Sequence, residues 1–296
     1  MMKMSLVTPA KLIAALLTLI PYLAVGFFPA SVAAQVRAWP IWMRYACPAV
    51  LVIPYLLVTL GAGVFRWEWF ALYAMLPVAI ALLLGQAARV DAGQRGNWRD
   101  SLVLAVLGLA VDLRWFESAW PAHLAVFNKI LLLDAGIYGF VLIRELDGTG
   151  FDLRLRLMDV GIGLREWAWY TPIALALGLS LGFLHLHRAW PGFASIADAW
   201  VFTFLFIAVP EELFFRGWLQ NLLEKRLGRY GALFLTACLF GLAHFNKRTA
   251  HLNWRYVLMA TLAGVAYGRA WRAERRVGAS AVTHATVDAV WSLWLR

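Results

Sequence analysis

Three ionisable residues interrupt an apolar segment that is otherwise long enough to cross a lipid bilayer. Glu211, Glu212 and Arg216 lie in the apolar run at residues 200–223. Each ionised group near the centre of a spanning helix costs about 2.5–3.5 kcal/mol on insertion scales. Such groups therefore pair, face a wet cavity or do chemistry. Glu212 and Arg216 are one helical turn apart and are predicted to pair, whereas Glu211 is rotated by about 100° and remains unsatisfied. Glu211 is thus a candidate functional carboxylate, and the alternative is a salt-bridged cluster that only orders helix packing.

Two later apolar runs carry further polar groups. His244 stands at the end of one run, four residues after Phe240, and His284 precedes Asp288 by one turn on a shared face of the last run. Taken singly, His244 is compatible with an interfacial histidine, and the pair His284 and Asp288 is compatible with a structural hydrogen bond. Together with Glu211, these residues provide the groups that hydrolysis needs. A Glu–His pair can deprotonate a water, and further donors can stabilise an oxyanion. This combination suits hydrolysis of a peptide bond inside a membrane.

The order and spacing of these groups resemble the signature of a known family of intramembrane endopeptidases. The pattern Glu211-Glu212-x-x-x-Arg216, followed by Phe240-x-x-x-His244 and then by His284-x-x-x-Asp288, is similar to that of the CAAX-protease and bacteriocin-processing (CPBP, or Abi) family. The resemblance covers about residues 151–296. It implies that Glu211 and His244 hold and activate the attacking water, and that Glu212 pairs with Arg216 to orient the site.

The resemblance also implies that His284 and the residue at position 288 support the oxyanion. Many members of the family carry Asn at that position, whereas this chain carries Asp288. An ionised carboxylate cannot donate a hydrogen bond to an oxyanion. Two interpretations keep the mechanism intact: Asp288 accepts a proton from His284 and fixes its ring, or burial keeps Asp288 protonated.

A metal is the main mechanistic alternative. Catalytic zinc usually has three protein ligands and an open position, and the compact His-Glu-x-x-His motif is absent from the sequence. A dispersed zinc site would use Glu211, His244 and His284. Because Glu212 is expected to be committed to Arg216, we expect no cofactor, with zinc as the alternative.

The composition predicts a membrane protein. Of the 296 residues, 62% are hydrophobic and 15% are charged, whereas soluble domains carry about 25% charged residues. Apolar runs of about spanning length recur along the chain. They lie at about 12–30, 45–64, 69–86, 102–115, 124–143, 168–187, 200–223, 230–245, 254–271 and 279–295. The fourth run contains Asp112 and the fifth contains Asn128, Lys129 and Asp134, which suits re-entrant or interior-facing segments. The predicted fold is an all-α polytopic membrane protein with about eight to ten transmembrane helices.

The chain is predicted to divide near residue 150. The longest polar stretch, 144–166, begins with a turn-rich connector. Residues 1–150 would form an N-terminal transmembrane helical region of unassigned role, and residues 151–296 a C-terminal catalytic helical core. The first apolar run resembles a signal peptide followed by small residues at 31–34, but we expect it to remain as the first membrane helix. Cys47 and Cys238 suit small buried hydrophobes, not a disulfide or a metal site.

The net charge of +10 does not indicate a nucleic-acid partner. Arginines gather in short loops between the apolar runs, where such clusters contact anionic headgroups and set topology. The predicted partners are the lipid bilayer and a membrane-anchored protein or peptide substrate, and the predicted location is the inner cell membrane. Two other functions are compatible with intramembrane charges: a proton-coupled transporter, and an inactive scaffold that binds a partner's transmembrane helix.

Overall fold

A computed structural model describes residues 8–122, 124–187, 190–247 and 251–295. Every regular element in these ranges is helical, and no β-strand occurs in them. This confirms the predicted all-α class. The chain divides into two compact units, Met1–Leu146 and Asp147–Arg296. The separate roles predicted for the two regions stay a prediction.

The first unit contains helices that pack around a core formed largely by α1, α5 and α7. Their bounds are α1 Pro9–Phe27, α2 Pro29–Ala38, α3 Ile41–Ala46, α4 Ile53–Gly61, α5 Trp67–Val90, α6 Trp98–Asp112 and α7 Val126–Ile137. A 3-10 segment, Cys47–Val52, joins α3 to α4, and a π-helical turn, Tyr138–Ile143, extends α7. The polar residues of the fifth apolar run suggested a segment that faces the interior. Helix α7 fits this description, since Asn128 and Asp134 are both buried.

A buried arginine of the first unit joins two carboxylates in a network. The guanidinium of Arg144 contacts Asp91 at 2.6 Å and Asp100 at 3.1 Å. Burial alone would raise the pKa of Asp91, but hydrogen bonds from the backbone N–H groups of Arg95 and Gly96 and the Arg144 charge outweigh burial, so that the pKa is lowered. Asp91 and Asp100 therefore hold Arg144 in place near Leu146, the last residue of this unit.

Within the residues that the structure describes, five helical stretches are long and apolar enough to cross a membrane. They are Pro9–Phe27, Ile41–Gly61, Trp67–Val90, Val126–Ile143 and Phe193–Leu242. Large apolar side chains are also exposed on the outer helix faces, for example Leu16 at 62% and Trp42 at 69%. Soluble proteins rarely expose contiguous apolar surface of this kind. The chain is therefore a multi-pass membrane protein, and the predicted count of eight to ten spans stays a prediction.

The second unit contains α8 to α13. The bounds are α8 Leu157–Ser180, α9 Phe193–Thr203, α10 Val209–Glu212, α11 Asn221–Leu242, α12 Trp254–Glu274 and α13 Val277–Trp294. Two π-helical segments, Phe204–Ala208 and Leu213–Gln220, connect α9, α10 and α11 into one nearly continuous helical path. That path changes direction at Gly228, where φ is +71°, a left-handed conformation that glycine adopts without strain.

Helix α12 lies between α8, α11 and α13 and packs closely against all three. Small residues permit this contact: a Cβ atom added at Gly241 of α11 would lie 2.6 Å from the backbone oxygen of Val257 and 1.9 Å from Oγ1 of Thr261. Tyr170, Phe240 and Tyr267 fill the space between the helices. The packing fixes the relative positions of the helices that carry the polar residues.

The start of α13 is tied to the start of α8 by Arg276. Its guanidinium contacts Asp159 at 2.8 Å and Asp152 at 3.4 Å and donates to the carbonyl of Arg154. Burial would raise the pKa of Asp152, but hydrogen bonds from Arg154 and Arg276 outweigh it and lower the pKa. Asp159 also accepts a hydrogen bond from the Arg156 amide as an N-terminal cap. This cap explains why α8 begins at Leu157, well before the apolar run predicted at 168–187.

Candidate active site

Glu212 is the centre of a fully buried polar cluster. Its Oε1 accepts a hydrogen bond from Nη1 of Arg216 at 3.0 Å and another from Nδ1 of His284 at 2.8 Å. Its Oε2 accepts from the hydroxyl of Ser280. A buried carboxylate with several good donors is tolerated because those bonds replace its lost hydration. The structure thus contains the Glu212–Arg216 pair expected from the spacing, with two additional partners.

Arg216 is held as firmly as its partner. Nη2 donates to the carbonyl of Gly264 at 2.9 Å, and the guanidinium lies 4.7 Å from the centroid of the Phe240 ring. The side chain is fully buried. The close approach is possible because Gly264 has no side chain: an added Cβ would lie 3.3 Å from Nη2. Arg216 therefore joins α12 to the helical path that carries the two glutamates.

His284 has both ring nitrogens directed at carboxylates. Because a carboxylate can only accept, Nδ1 donates to Glu212. Nε2 lies 3.5 Å from Oδ2 of Asp288 and 3.9 Å from Oε2 of Glu211. The ring also stacks on Tyr267, with centroids 4.5 Å apart and planes 13° apart. The orientation of His284 is thus fixed by Glu212 and Tyr267, and Nε2 is the nitrogen directed towards Glu211 and Asp288.

Glu211 differs sharply from its neighbour. Its side chain is 36% exposed, against 0% for Glu212, and it lines the cavity described below. Its Oε2 has no hydrogen-bond partner within the part of the chain that the structure describes. Glu211 therefore has an acceptor that its protein surroundings leave unused.

His244 lies just beyond the end of α11. Its Nδ1 is 2.8 Å from the carbonyl oxygen of Phe240 and donates to it. In the neutral ring this bond sets the tautomer, so that Nε2 carries no proton and can accept one or hold a water. The ring lies between those of Phe240 and Tyr256, at centroid distances of 4.9 and 5.1 Å.

A cavity of about 310 Å³ brings the polar groups together. Glu211, His244, His284 and Asp288 line it, whereas Glu212 and Arg216 lie behind its wall. Most of the remaining lining is aliphatic or aromatic. The six residues singled out by the sequence thus form one site, in which four face the cavity and two support His284 and the helices.

Three residues of the site have no role in the sequence interpretation: Ser280, Tyr267 and Lys247. Ser280 is one turn before His284, so the spacing Ser280-x-x-x-His284 contained a signal for it. Tyr267 lies in the apolar run at 254–271, for which the sequence predicts no site residue. Lys247 lines the cavity, but in the sequence it is one basic residue near a helix end.

The zinc alternative requires Glu211, His244 and His284 to converge on one ion. Among residues 8–122, 124–187, 190–247 and 251–295, no group of three or more His, Cys, Asp or Glu residues is arranged to hold a metal ion. In the dispersed zinc site considered above, His284 would bind the metal through Nε2, since its Nδ1 is bonded to Glu212. The expectation of a metal-independent site stays a prediction.

The fold and the site together define a polytopic helical membrane protein with a buried polar centre facing an apolar cavity. Residues 193–290 match the model of a protein family described as type II CAAX prenyl endopeptidase Rce1-like. This family belongs to the CPBP group, and the match confirms the predicted resemblance. The matched segment extends from the first residue of α9 into α13 and includes the six predicted site residues. No curated protein and no solved structure shows a significant match to the chain.

Proposed function

We propose that the protein is an intramembrane endopeptidase that hydrolyses a peptide bond of a membrane-associated protein or peptide through a water activated by Glu211 and His244. The observation that carries the proposal is the pair of unused acceptors: Oε2 of Glu211 and Nε2 of His244 belong to side chains that line the same cavity. A water held by both acceptors has its proton drawn towards a carboxylate, which is general-base catalysis.

The reaction balances without another reactant. Glu211 takes a proton from the water, and the hydroxide oxygen bonds to the carbonyl carbon of the scissile peptide. The carbonyl oxygen becomes an oxyanion, and Nε2 of His284 is the nearest fixed donor for it. Collapse of this intermediate breaks the C–N bond, and the proton on Glu211 passes to the leaving amine. The products are a carboxylic acid and an amine.

Glu212 acts on this chemistry indirectly. When His284 donates from Nε2 to the oxyanion, it also donates from Nδ1 to Glu212, and the carboxylate stabilises the positive charge on the ring. Arg216 and Ser280 hold the carboxylate in that position. Glu212, Arg216 and Ser280 are therefore positioning residues, which do not touch the substrate.

The family match supports peptidase chemistry, since the matching family is described as an endopeptidase. It supports a membrane-embedded peptide as the class of substrate, with a lipidated C-terminal segment as one form of it. The apolar cavity walls favour such a partner because a peptide segment leaving the bilayer keeps apolar contacts there.

The test compares membranes that contain the native chain with membranes that contain Glu211→Gln. Gln keeps the shape of Glu but cannot accept the proton of a water, and loss of a general base typically lowers the rate by about 10²–10⁴-fold. Intact precursors should accumulate in the Glu211→Gln membrane proteome, while expression and thermal stability change little. The matched control is Asp198→Asn, a carboxylate on the exposed surface of α9. Full processing by Glu211→Gln would refute the water-activating role.

A further inference from the structure

Cationic side chains of the second unit are concentrated where α11 turns and where α12 ends. The stretches 224–229 and 269–276 contain Lys225, Arg226, Arg229, Arg269, Arg272, Arg275 and Arg276. The carboxylates in the same two stretches are those of Glu224 and Glu274. An excess of positive charge of this kind attracts anions to the surface that carries it.

Folding brings the two stretches together. The path of α11 turns at Gly228, and Nη1 of Arg272 donates to the carbonyl of Arg229 at 3.2 Å. The guanidinium groups of Arg272 and Arg229 lie 5.5 and 5.9 Å from the centroid of the Tyr230 ring. Two cations beside one ring repel each other, and an anion bound near both would offset that repulsion.

Arg229 and Arg272 differ from the other arginines of this region because no carboxylate is bonded to them. The guanidinium groups of Arg269, Arg275 and Arg276 lie 2.7, 2.6 and 2.8 Å from a carboxylate oxygen. Arg272 is 3.9 Å from Glu224, which pairs with Arg275, and its Nε has no hydrogen-bond partner in the described part of the chain. Arg229 is exposed and forms no ion pair with any described carboxylate. Both arginines therefore carry charge that the described residues leave largely unbalanced.

An exposed apolar face of α11 borders these two arginines. Tyr230 is 76% exposed, and Phe234, one turn further along the helix, is 69% exposed. In a multi-pass membrane protein such a face contacts acyl chains, and tyrosine is typical of the level of the lipid head groups. A phospholipid matches both features, because its phosphate suits a guanidinium group and its acyl chains suit Phe234. An acidic peptide from the water phase would match the charge alone.

We propose that Arg229 and Arg272, together with Tyr230, bind the head-group phosphate of an anionic phospholipid whose acyl chains lie along Phe234. A zwitterionic lipid is a poorer ligand, because its own cation would be held near the two arginines. A lipid that contacts both the α11 turn and the end of α12 stabilises the folded state by mass action.

This lipid site is separate from the proposed hydrolysis and goes beyond it. Tyr256, near the start of α12, lines the cavity, whereas Arg272 lies in the last turn of the same helix. A rise of about 1.5 Å per residue places the two residues about 24 Å apart. Lipid binding at Arg272 is therefore measured without reference to cleavage.

The experiment uses the purified full chain in vesicles of phosphatidylcholine, with and without phosphatidylglycerol. A further sample contains phosphatidylcholine vesicles with soluble glycerol phosphate in the buffer. Retained lipids are identified by native mass spectrometry, and the melting temperature is measured in each sample. Wild type should retain phosphatidylglycerol in preference to phosphatidylcholine and should melt at a higher temperature when phosphatidylglycerol is present. An equal rise with glycerol phosphate would assign the site to a free phosphate and overturn the lipid assignment.

The variants test the two arginines against a matched control. Arg229→Gln removes an exposed charge, and the contribution of one Lys or Arg near a membrane surface corresponds to about a fivefold loss of phosphatidylglycerol retention. Arg272→Lys keeps the charge but not the guanidinium fork, so it should also weaken retention. The control is Arg255→Gln, since Arg255 is also exposed beside an aromatic ring, 5.7 Å from the centroid of Trp254, but lies at the start of α12. Arg255→Gln should behave as wild type.

Three results would overturn the proposal. Retention and a melting-temperature shift that are as large in Arg229→Gln as in wild type would show that Arg229 binds no lipid. Unchanged retention in Arg272→Lys would show the same for the guanidinium of Arg272. An equal loss in Arg229→Gln and Arg255→Gln would show that the lipid responds to the net charge of the protein and not to this site. The melting temperature in phosphatidylcholine alone should be the same for each variant as for wild type, which checks that the fold is intact.

Discussion

At the scale of residues, two adjacent glutamates have opposite environments and hence different tasks. Glu212 has donors on both oxygens and no exposure, so it can hold neighbouring groups but cannot take part in water chemistry. Glu211 keeps a free acceptor and lines the cavity. The difference follows from the rotation between consecutive residues on a helix, which turns one carboxylate towards Arg216 and α13 and the other towards the cavity.

Removing Arg216 should affect stability as well as activity. Arg216→Ala leaves Glu212 buried with one strong donor fewer, and breaking a buried pair by deleting one partner costs about 3–5 kcal/mol. We expect a lower melting temperature in detergent and loss of cleavage. The double variant Glu212→Gln with Arg216→Met should regain much of the stability but no activity. Equal melting temperatures for wild type and Arg216→Ala would contradict the buried pair.

Asp288 is placed where a neutral donor would serve the reaction better. The ring of His284 is already oriented by Glu212 and Tyr267, so Asp288 is not required to fix it, and an ionised carboxylate 3.5 Å from Nε2 opposes the growth of negative charge nearby. Asp288→Asn should therefore leave kcat at least as high as in wild type. Asp288→Leu, which removes all polar contact, is the comparison. A fall in kcat of about a hundredfold or more in Asp288→Asn would show that the carboxylate itself is needed.

Most of the polar residues of the site could be identified from the sequence. Charged residues inside apolar runs carry a free-energy cost, so they stand out there. Glu211, Glu212 and Arg216 were found in this way. Ser280 was not, since a serine costs little in a membrane helix and its role depends on the carboxylate of another helix. Contacts between distant elements, such as Nδ1 of His284 with Glu212, depend on helix packing that spacing alone does not specify.

At the scale of elements, the helical path that carries the glutamates is widened on both sides of them. The π-helical segments Phe204–Ala208 and Leu213–Gln220 enclose the short α10. Segments of this kind often occur at functional sites because they change the direction of side chains without ending the helix. The apolar run at 200–223 predicted one spanning helix here. It could not locate the widening, because the cause is tertiary packing and not local propensity.

Close packing of α11 against α12 should be needed for His244 to reach its position. A methyl group at Gly241 would meet the backbone oxygen of Val257 at 2.6 Å, and a backbone atom can give way only if the helices separate. Overpacking of this kind costs about 1–3 kcal/mol, so Gly241→Ala should lower both the melting temperature and the cleavage rate.

The control for that change is Gly161→Ala in α8, where an added Cβ would meet nothing within 4 Å. Replacing an unconstrained helical glycine by alanine stabilises by roughly 1 kcal/mol, so this variant should melt at or above the temperature of wild type and cleave normally. A Gly241→Ala protein that is as stable and as active as Gly161→Ala would show that the helix contact does not position the site.

At the scale of the whole molecule, charge placement favours a peptidase over a carrier. A carrier is expected to share polar residues between related halves around a central site, but the cavity described above is lined entirely from the second unit. In the first unit, the buried Arg144 forms a local network with Asp91 and Asp100 instead. A scaffold would need no unused acceptors, whereas Glu211 has one.

The class of the molecule was predictable from the sequence, but its organisation was only partly so. Composition and apolar runs predict helices because every backbone group in lipid must bond within its own segment. The bounds were less predictable: α8 begins at a polar cap formed by Asp159, which hydropathy does not detect. The helix that carries Asn128 and Asp134 lies inside its unit. Polar residues in an apolar run suggest an interior-facing helix, but they do not specify its position any further.

The purified protein should hydrolyse its substrate without a bound metal. A zinc mechanism would need Glu211, His244 and His284 as ligands, yet among the residues that the structure describes no group of three or more His, Cys, Asp or Glu is arranged to hold a metal ion. Chelation should therefore leave the cleavage rate unchanged, and elemental analysis should find much less than one zinc per chain. A zinc site predicts near-equimolar metal with ligand distances of about 2.0–2.2 Å. Activity that is lost on chelation and restored by added zinc would give those three residues ligand roles in place of water activation and oxyanion support.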